Sequence, residues 1–270
     1  MGINNVLVVY ANPKNNAEKS TLELVKRILK KHKVNYKSAH RGKLSKELFQ
    51  KVDLVIAVGG DGTFIRASHF IFDKKPLLGV NSDPRYKEGF FMAVSRDDFE
   101  EKFKKILINN YTMKKLQRLE AYMGRKKIPE LALNEFYIAS EKPYHTAIYF
   151  LNVRGKRERQ KSSGVLISTA AGSHAWIKSA GGKILPLESN KFQYLVRELY
   201  YGRASAKCNL INCILNKDEK IEIVFEIGNG ILIADSLSSE HKFKIRKKVM
   251  VKMSKKPLCC ISFNDGPYKI

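Results

Sequence analysis

The chain has 270 residues, 44% of them apolar, and no apolar run reaches the length of a membrane span; a globular protein of one large or two ordinary domains is expected, with no membrane partner. The net charge is +24, yet the basic residues are spread over 30–33, 125–127, 154–161 and 244–248 without a dense tract or nucleic-acid motif, which argues against nucleic acid as the partner and for solvated faces that also attract anionic nucleotides. Cys208, Cys213, Cys259 and Cys260 have neither zinc-site nor disulfide-framework spacing, so reduced thiols and a cytoplasmic location are expected.

Residues 1–6 run straight into strand-like 5–10, so no targeting peptide is expected, and Val6 stands where a myristoylation signal needs Ser or Thr. Asn12-Pro13 leads to a helix over 17–32, with Leu22, Val25, Ile28 and Leu29 on one face. A weaker strand at 33–39, a short helix at 44–50 and a buried strand at 53–58 follow. The next residues form a glycine turn and a helix over 62–72, which Lys75-Pro76 ends. Strand 77–80 and a helix at 95–109, carrying Phe99, Phe103, Ile106 and Leu107, complete this part. The alternation predicts an α/β domain over 1–111, Rossmann-like, with a mostly parallel sheet.

From 112 onward strands dominate: 112–123, 131–139, 144–153, 164–169, 208–214, 219–227, 230–235, 241–246, 248–253 and 258–263. A hairpin tip falls at 152–156, and only 172–180 interrupts the pattern. A mainly β domain over 112–270 is predicted, with the last residues able to pack back on the first domain.

Three segments carry chemistry. The first is Gly59-Gly60-Asp61-Gly62-Thr63, after the buried strand. Its glycines let backbone approach a ligand, and its N–H groups at a helix start suit phosphate. Asp61 puts a negative charge where phosphate binds, which is unfavourable unless the carboxylate does chemistry or holds a metal; phosphoryl transfer is implied. The second is Asn134-Glu135 in a strand-like run, where an amide and a carboxylate suit nucleotide amides and ribose hydroxyls, or mark an edge or bulge. The third runs from Ser162 through Thr169, Gly172, Ser173, His174, Ala175 and Trp176 to Gly181-Gly182: strand, small-residue turn, short helix, glycine pair. Small residues there admit a flat ring or phosphates. Asn81 and Asp83 follow a strand end, where α/β sheets bind ligands, though Asn-Ser-Asp-Pro also builds a turn.

In this order and spacing the three segments resemble the NAD kinase family: its Gly-Gly-Asp-Gly-Thr motif at 59–63, its Asn-Glu motif at 134–135, and its Ser-Thr-x-x-Gly-x-x-Ala-Tyr…Gly-Gly segment at 168–182, with Trp176 in place of Tyr. Asp235-Ser236 is similar to a late Asp-Gly turn, with Ser replacing Gly. Residues 79–84 with Glu88-Gly89, 161–164, 202–205 and 263–266 look like the branch that holds the animal mitochondrial enzymes. The common bacterial members carry Asp where this chain has Ser163.

The resemblance implies a two-domain kinase that moves the ATP γ-phosphoryl group to the 2′-hydroxyl of the adenosine ribose of NAD. It implies Asp61 as the base, and Gly59, Gly60, Gly62, Thr63 and Asn81 around phosphate or nucleotide. Asn134, Glu135, Ser163, Ser173, His174, Ala175, Trp176 and Asp235 would hold NAD. Mg²⁺ or another divalent cation would offset the phosphate charge, with no dedicated protein ligands, and the family implies a homodimer or homotetramer. A lipid or sugar kinase sharing the glycine turn, or a non-catalytic nucleotide- or nucleic-acid-binding protein, stays open as the alternative.

Overall fold

A computed structural model describes residues 2–142, 144–202, 208–237 and 239–263. The resemblances at Arg203–Ser205 and at Asn264–Gly266 lie outside the described residues. The chain divides into one unit of Met1–Lys115 with Leu258–Ile270, and a second of Leu116–Pro257.

The first unit is built on a sheet whose strand order is Asn35–His40, Asn5–Tyr10, Leu54–Gly59, Leu77–Asn81, Leu258–Ser262, Thr112–Leu116. The first four pair in parallel, and Leu258–Ser262 adds in parallel through Cys260 opposite Leu77. Strand Leu54–Gly59 is buried throughout, as a central parallel strand covered on both faces must be. Helix Asn16–Lys31 starts where Asn15 Oδ1 accepts the Glu18 N–H at 2.9 Å, and buries Leu22, Val25, Ile28 and Leu29 as their spacing requires.

Several boundaries differ from expectation for local reasons. The helix expected at 95–109 runs Phe99–Leu107, because Asp98 takes the Ser95 N–H at 2.6 Å and Val94–Ser95 pairs as a strand. The helix expected at 44–50 is a single 3₁₀ turn, Lys46–Phe49. The strand-like run 112–123 breaks into Thr112–Leu116 and Leu119–Met123, which join different sheets. Fully buried Arg118 marks the break, its Nε donating to the Lys256 carbonyl at 2.9 Å.

The second unit packs two six-stranded sheets over a common core. Their strand orders are Lys156–Ser162, Ala147–Val153, Lys220–Ile227, Lys248–Met253, Leu119–Met123, Lys126–Lys127, and Asn212–Asn216, Lys191–Arg197, Gly164–Ser168, Glu135–Ser140, Gly230–Ala234, Glu240–Phe243. Every pairing in them is antiparallel. Strands Lys156–Ser162 and Lys191–Arg197 escaped the sequence reading; the first is an edge strand whose charged residues hide its alternation. Pleat alternation sends Phe136 and Ile138 into the core and leaves Glu135 and Tyr137 on the opposite face. On that face Leu166, Leu195 and Ile177 form a small second cluster with Tyr137 and Trp176.

Candidate active site

The first unit's candidate residues gather at the carboxyl ends of its parallel strands. Gly59 ends one strand, Gly60 caps the next helix with an extended backbone, and Asp61 opens helix Asp61–Ser68. The Asp61 and Gly62 N–H groups, in the first turn, have no intrahelical acceptor. A side chain at Gly59 would collide with buried Thr63, whereas one at Gly62 would meet only Arg41 Nη1, at 3.3 Å.

Half-buried Asp61 is held from a neighbouring loop. Its Oδ1 accepts the Phe91 N–H at 2.8 Å and its Oδ2 the Phe90 N–H at 3.1 Å. Burial raises its pKa above the usual carboxylate value; the Phe91, Phe90 and Gly89 N–H groups oppose that rise, and the charge of Glu88 adds to it. The carboxylate is therefore fixed in direction and more basic than an exposed aspartate.

The loop that supplies those N–H groups is anchored by buried Asn81, whose Oδ1 accepts the Asp83 N–H at 3.1 Å and whose Nδ2 donates to the Lys87 carbonyl at 3.2 Å. Both ends of the Asn81 amide thus serve the chain's own loop. Lys87 Nζ bridges Glu18 and the Ser82 hydroxyl, each at 2.7 Å. Asp83 accepts from Asn15 Nδ2 and Arg85 Nε, both at 3.0 Å. Sequence reasoning missed Glu18 and Lys87; the available signal was Asn15-x-x-Glu18, a capping pair whose acid is turned to other use.

In the second unit Asn134, Glu135, Thr169, Gly172 and Asp235 meet at one end of the second sheet. Asp235 Oδ2 accepts the Leu133 N–H at 2.8 Å, and its Oδ1 the Asn134 and Glu135 N–H groups at 2.6 and 3.0 Å. This is why the strand expected from 131 starts at Glu135: three amides go to a side chain, not to a neighbouring strand. Thr169 Oγ1 donates to the Leu133 carbonyl and accepts the Gly172 N–H at 2.9 Å. Any Cβ on Gly172 would overlap the Asn134 carbonyl. Asp235 and Ser236 sit at φ +53° and +52°, the region that favours glycine, which accounts for a glycine at the second position in the resembling motif.

Among the described residues two buried acceptors at this corner find no partner: Asn134 Oδ1 and Glu135 Oε2. Burial, reinforced by the Asp235 charge, pushes the Glu135 carboxyl up to about 8, against a pull from the Ser236 hydroxyl at 3.3 Å.

The segment after Gly172 folds as a 3₁₀ turn, Gly172–His174, and a short helix, Trp176–Ser179. Ser173 is buried and structural, its hydroxyl donating to the Ala170 carbonyl and accepting the Leu185 N–H at 2.9 Å. His174 is partly exposed on the turn, and Ala175 donates its N–H to the Gly172 carbonyl at 2.8 Å. The Trp176 ring lies 4.9 Å from Tyr137 and 5.0 Å from the Arg197 guanidinium. Ser163 donates its N–H to the Arg197 carbonyl at 3.0 Å, and its own carbonyl accepts the Tyr137 hydroxyl at 2.6 Å. Tyr137 and Arg197 were not foreseen, because nothing local in sequence links them to Trp176.

Among the described residues no group of three or more His, Cys, Asp or Glu side chains is placed to hold a metal ion, and no helix is long and apolar enough to cross a membrane.

The family model described as the ATP-NAD kinase N-terminal domain matches residues 4–111. An NAD kinase of Azotobacter vinelandii is 33% identical over 217 residues, covering 78% of this chain and 70% of that protein. A probable NADH kinase of Oryza sativa subsp. japonica is 28% identical over 256 residues, covering 87% of this chain and 78% of the relative. The crystal structure of an NAD kinase from Archaeoglobus fulgidus in complex with ATP superposes with a TM-score of 0.76 at 23% identity, covering 97% of this chain and 94% of the other. Yeast NADH kinase complexed with NADH superposes with a TM-score of 0.82 at 16% identity, covering 97% and 84%. These two likenesses establish the fold.

Proposed function

Because the chain belongs to the NAD kinase family, we propose that it transfers the γ-phosphoryl group of ATP to the 2′-hydroxyl of the adenosine ribose of NAD, giving NADP and ADP. The observation that carries the reading is Asp61: a carboxylate made more basic by burial, aimed by two backbone N–H groups, at the start of a helix whose first amides are open to phosphate.

In this reading Asp61 takes the 2′-hydroxyl proton as the ribose oxygen bonds to phosphorus and the bond to ADP breaks. The Asp61 and Gly62 N–H groups receive phosphate oxygens. Asn134 Oδ1 and Glu135 Oε2, buried without partners, gain them from the dinucleotide. Asp235 acts at one remove, by fixing the backbone from which both side chains project. Trp176 supplies an aromatic surface backed by Tyr137 and Arg197.

Mg²⁺ or another divalent cation fits this site as a companion of the ATP phosphates, where it would offset their charge. Asp61 could lend it a carboxylate oxygen, since Oδ1 and Oδ2 accept the Phe91 and Phe90 N–H groups and a carboxylate offers about four lone-pair sites. Self-association as a homodimer or homotetramer and a cytoplasmic location belong to the same reading. The test is NADP or NADPH formation from NAD and from NADH, each with ATP and with inorganic polyphosphate. Absence of product in all four arms would refute the assignment.

A further inference from the structure

Glu135 is 3% exposed, and the hydrogen bond to its carboxyl group comes from the Ser236 hydroxyl at 3.3 Å. Its Oε2 has no partner among the described residues. Among the described residues no cation offsets it: the charged group acting on it is Asp235, another carboxylate, already holding three backbone N–H groups. On its own strand the next residue on the same face is Tyr137, whose phenol is spent on the Ser163 carbonyl. Opposite it in the adjacent strand stands Ser168, which brings only a hydroxyl.

A carboxylate here would be a second negative charge in a buried corner with one hydroxyl to solvate it. A carboxylic acid has no such cost, and its O–H needs a single acceptor. We propose that Glu135 meets the dinucleotide as a neutral carboxylic acid, its Oε2–H donating to an acceptor atom of the ligand, instead of as a carboxylate that receives ribose hydroxyls. The inference rests on the reading of this corner as a dinucleotide site. It reverses the polarity of one contact: the ligand atom at Oε2 is a ring nitrogen or a carbonyl oxygen, and the neighbouring Asn134 Oδ1 remains an acceptor for a ligand N–H or O–H.

The test is calorimetric titration of NAD and NADP into the whole protein between pH 6 and 9, for the wild type, Glu135→Gln and Glu135→Leu. Gln copies the shape and neutrality of the acid and keeps both a donor and an acceptor. It is expected to bind within about threefold of wild type at pH 7 and to show no pH dependence, while wild-type affinity falls up to about tenfold per unit above the carboxyl pKa. Leu is expected to lose about tenfold or more, the cost of an unpaired ligand acceptor. Separate titrations of AMP and nicotinamide mononucleotide identify the half that carries the acceptor, as the one weakened by Leu.

Infrared difference spectra supply a readout independent of binding and of variant folding. A protonated carboxyl band at pH 7 that is absent from Glu135→Gln supports the inference. The inference fails if wild-type Glu135 gives no such band, or if Gln weakens binding tenfold while wild-type binding is flat with pH. A wild type that binds neither dinucleotide refutes the functional reading along with it; a wild type that binds while Gln fails refutes only the inference.

Discussion

Asp61 and Glu135 are the same functional group in two kinds of burial. Asp61 is partly exposed and has two well-directed backbone N–H donors; Glu135 is almost sealed and has one hydroxyl. Burial raises both pKa values, but only Glu135 is carried to about 8. The lesson is that donors, not burial alone, decide whether a buried carboxyl is poised to take a proton or to keep one. In the second unit the strongest donors were given to a third carboxylate: Asp235 collects the Leu133, Asn134 and Glu135 amides and leaves Glu135 without them.

Replacing Asp61 with Asn removes the proposed base while keeping the side-chain shape. NADP formation should fall by about 10²–10⁴ in kcat, with KM for NAD and ATP changed only a few fold. Steady-state kinetics decide it; full activity would end the comparison by removing Asp61 from the chemistry. In the wild type the acid limb of kcat/KM should lie above the usual carboxylate range, since the proposed mechanism needs deprotonated Asp61 and its pKa is raised.

Asp235→Ala strips three buried amides of their acceptor and should cost about 3–5 kcal/mol of stability, read by urea unfolding, at about 1–3 kcal/mol per buried group left unpaired. A loss below about 1 kcal/mol would mean that the corner relaxes and that Glu135 is not held in place by its neighbour.

Glu135 should leave a signature in stability against pH. Its folded-state pKa of about 8 exceeds the ordinary 4.5, so between those values the native protein holds the proton more tightly than the unfolded chain. The stability linked to this proton is complete below 4.5 and is lost as pH rises through 8, on the order of 5 kcal/mol at most. Glu135→Gln should remove that slope, so that the variant gains on wild type as pH rises; melting temperatures across the range would show it.

The smallest effects compare the glycines. Gly62→Ala meets only the flexible end of Arg41 and should change stability by less than about 1 kcal/mol, whereas Gly172→Ala drives a methyl into the Asn134 carbonyl and should cost about 1–3 kcal/mol. Equal tolerance would mean that the Gly172 contact is loose.

Much of the molecule was legible in the chain because local patterns encode it. Strand 54–59, the helix after it and the apolar faces of helices 16–31 and 99–107 follow from periodicity and glycine placement. The three motifs that carry the family resemblance are contiguous stretches, so Asp61, Asn134 and Glu135 stand out as candidates in the sequence alone, and Asp235 through the separate Asp-Ser turn. It left open that Leu258–Ser262 belongs to the first sheet, since a parallel partner some 180 residues away leaves no local trace. It also hid that Asn81 serves its own loop, that Ser173 is structural, and that Asp235 grips backbone. Residue type and order were enough to nominate the groups proposed for the chemistry. How tightly each of those carboxyls holds a proton is set by the tertiary structure, because donors and burial come from segments that meet only in the folded chain.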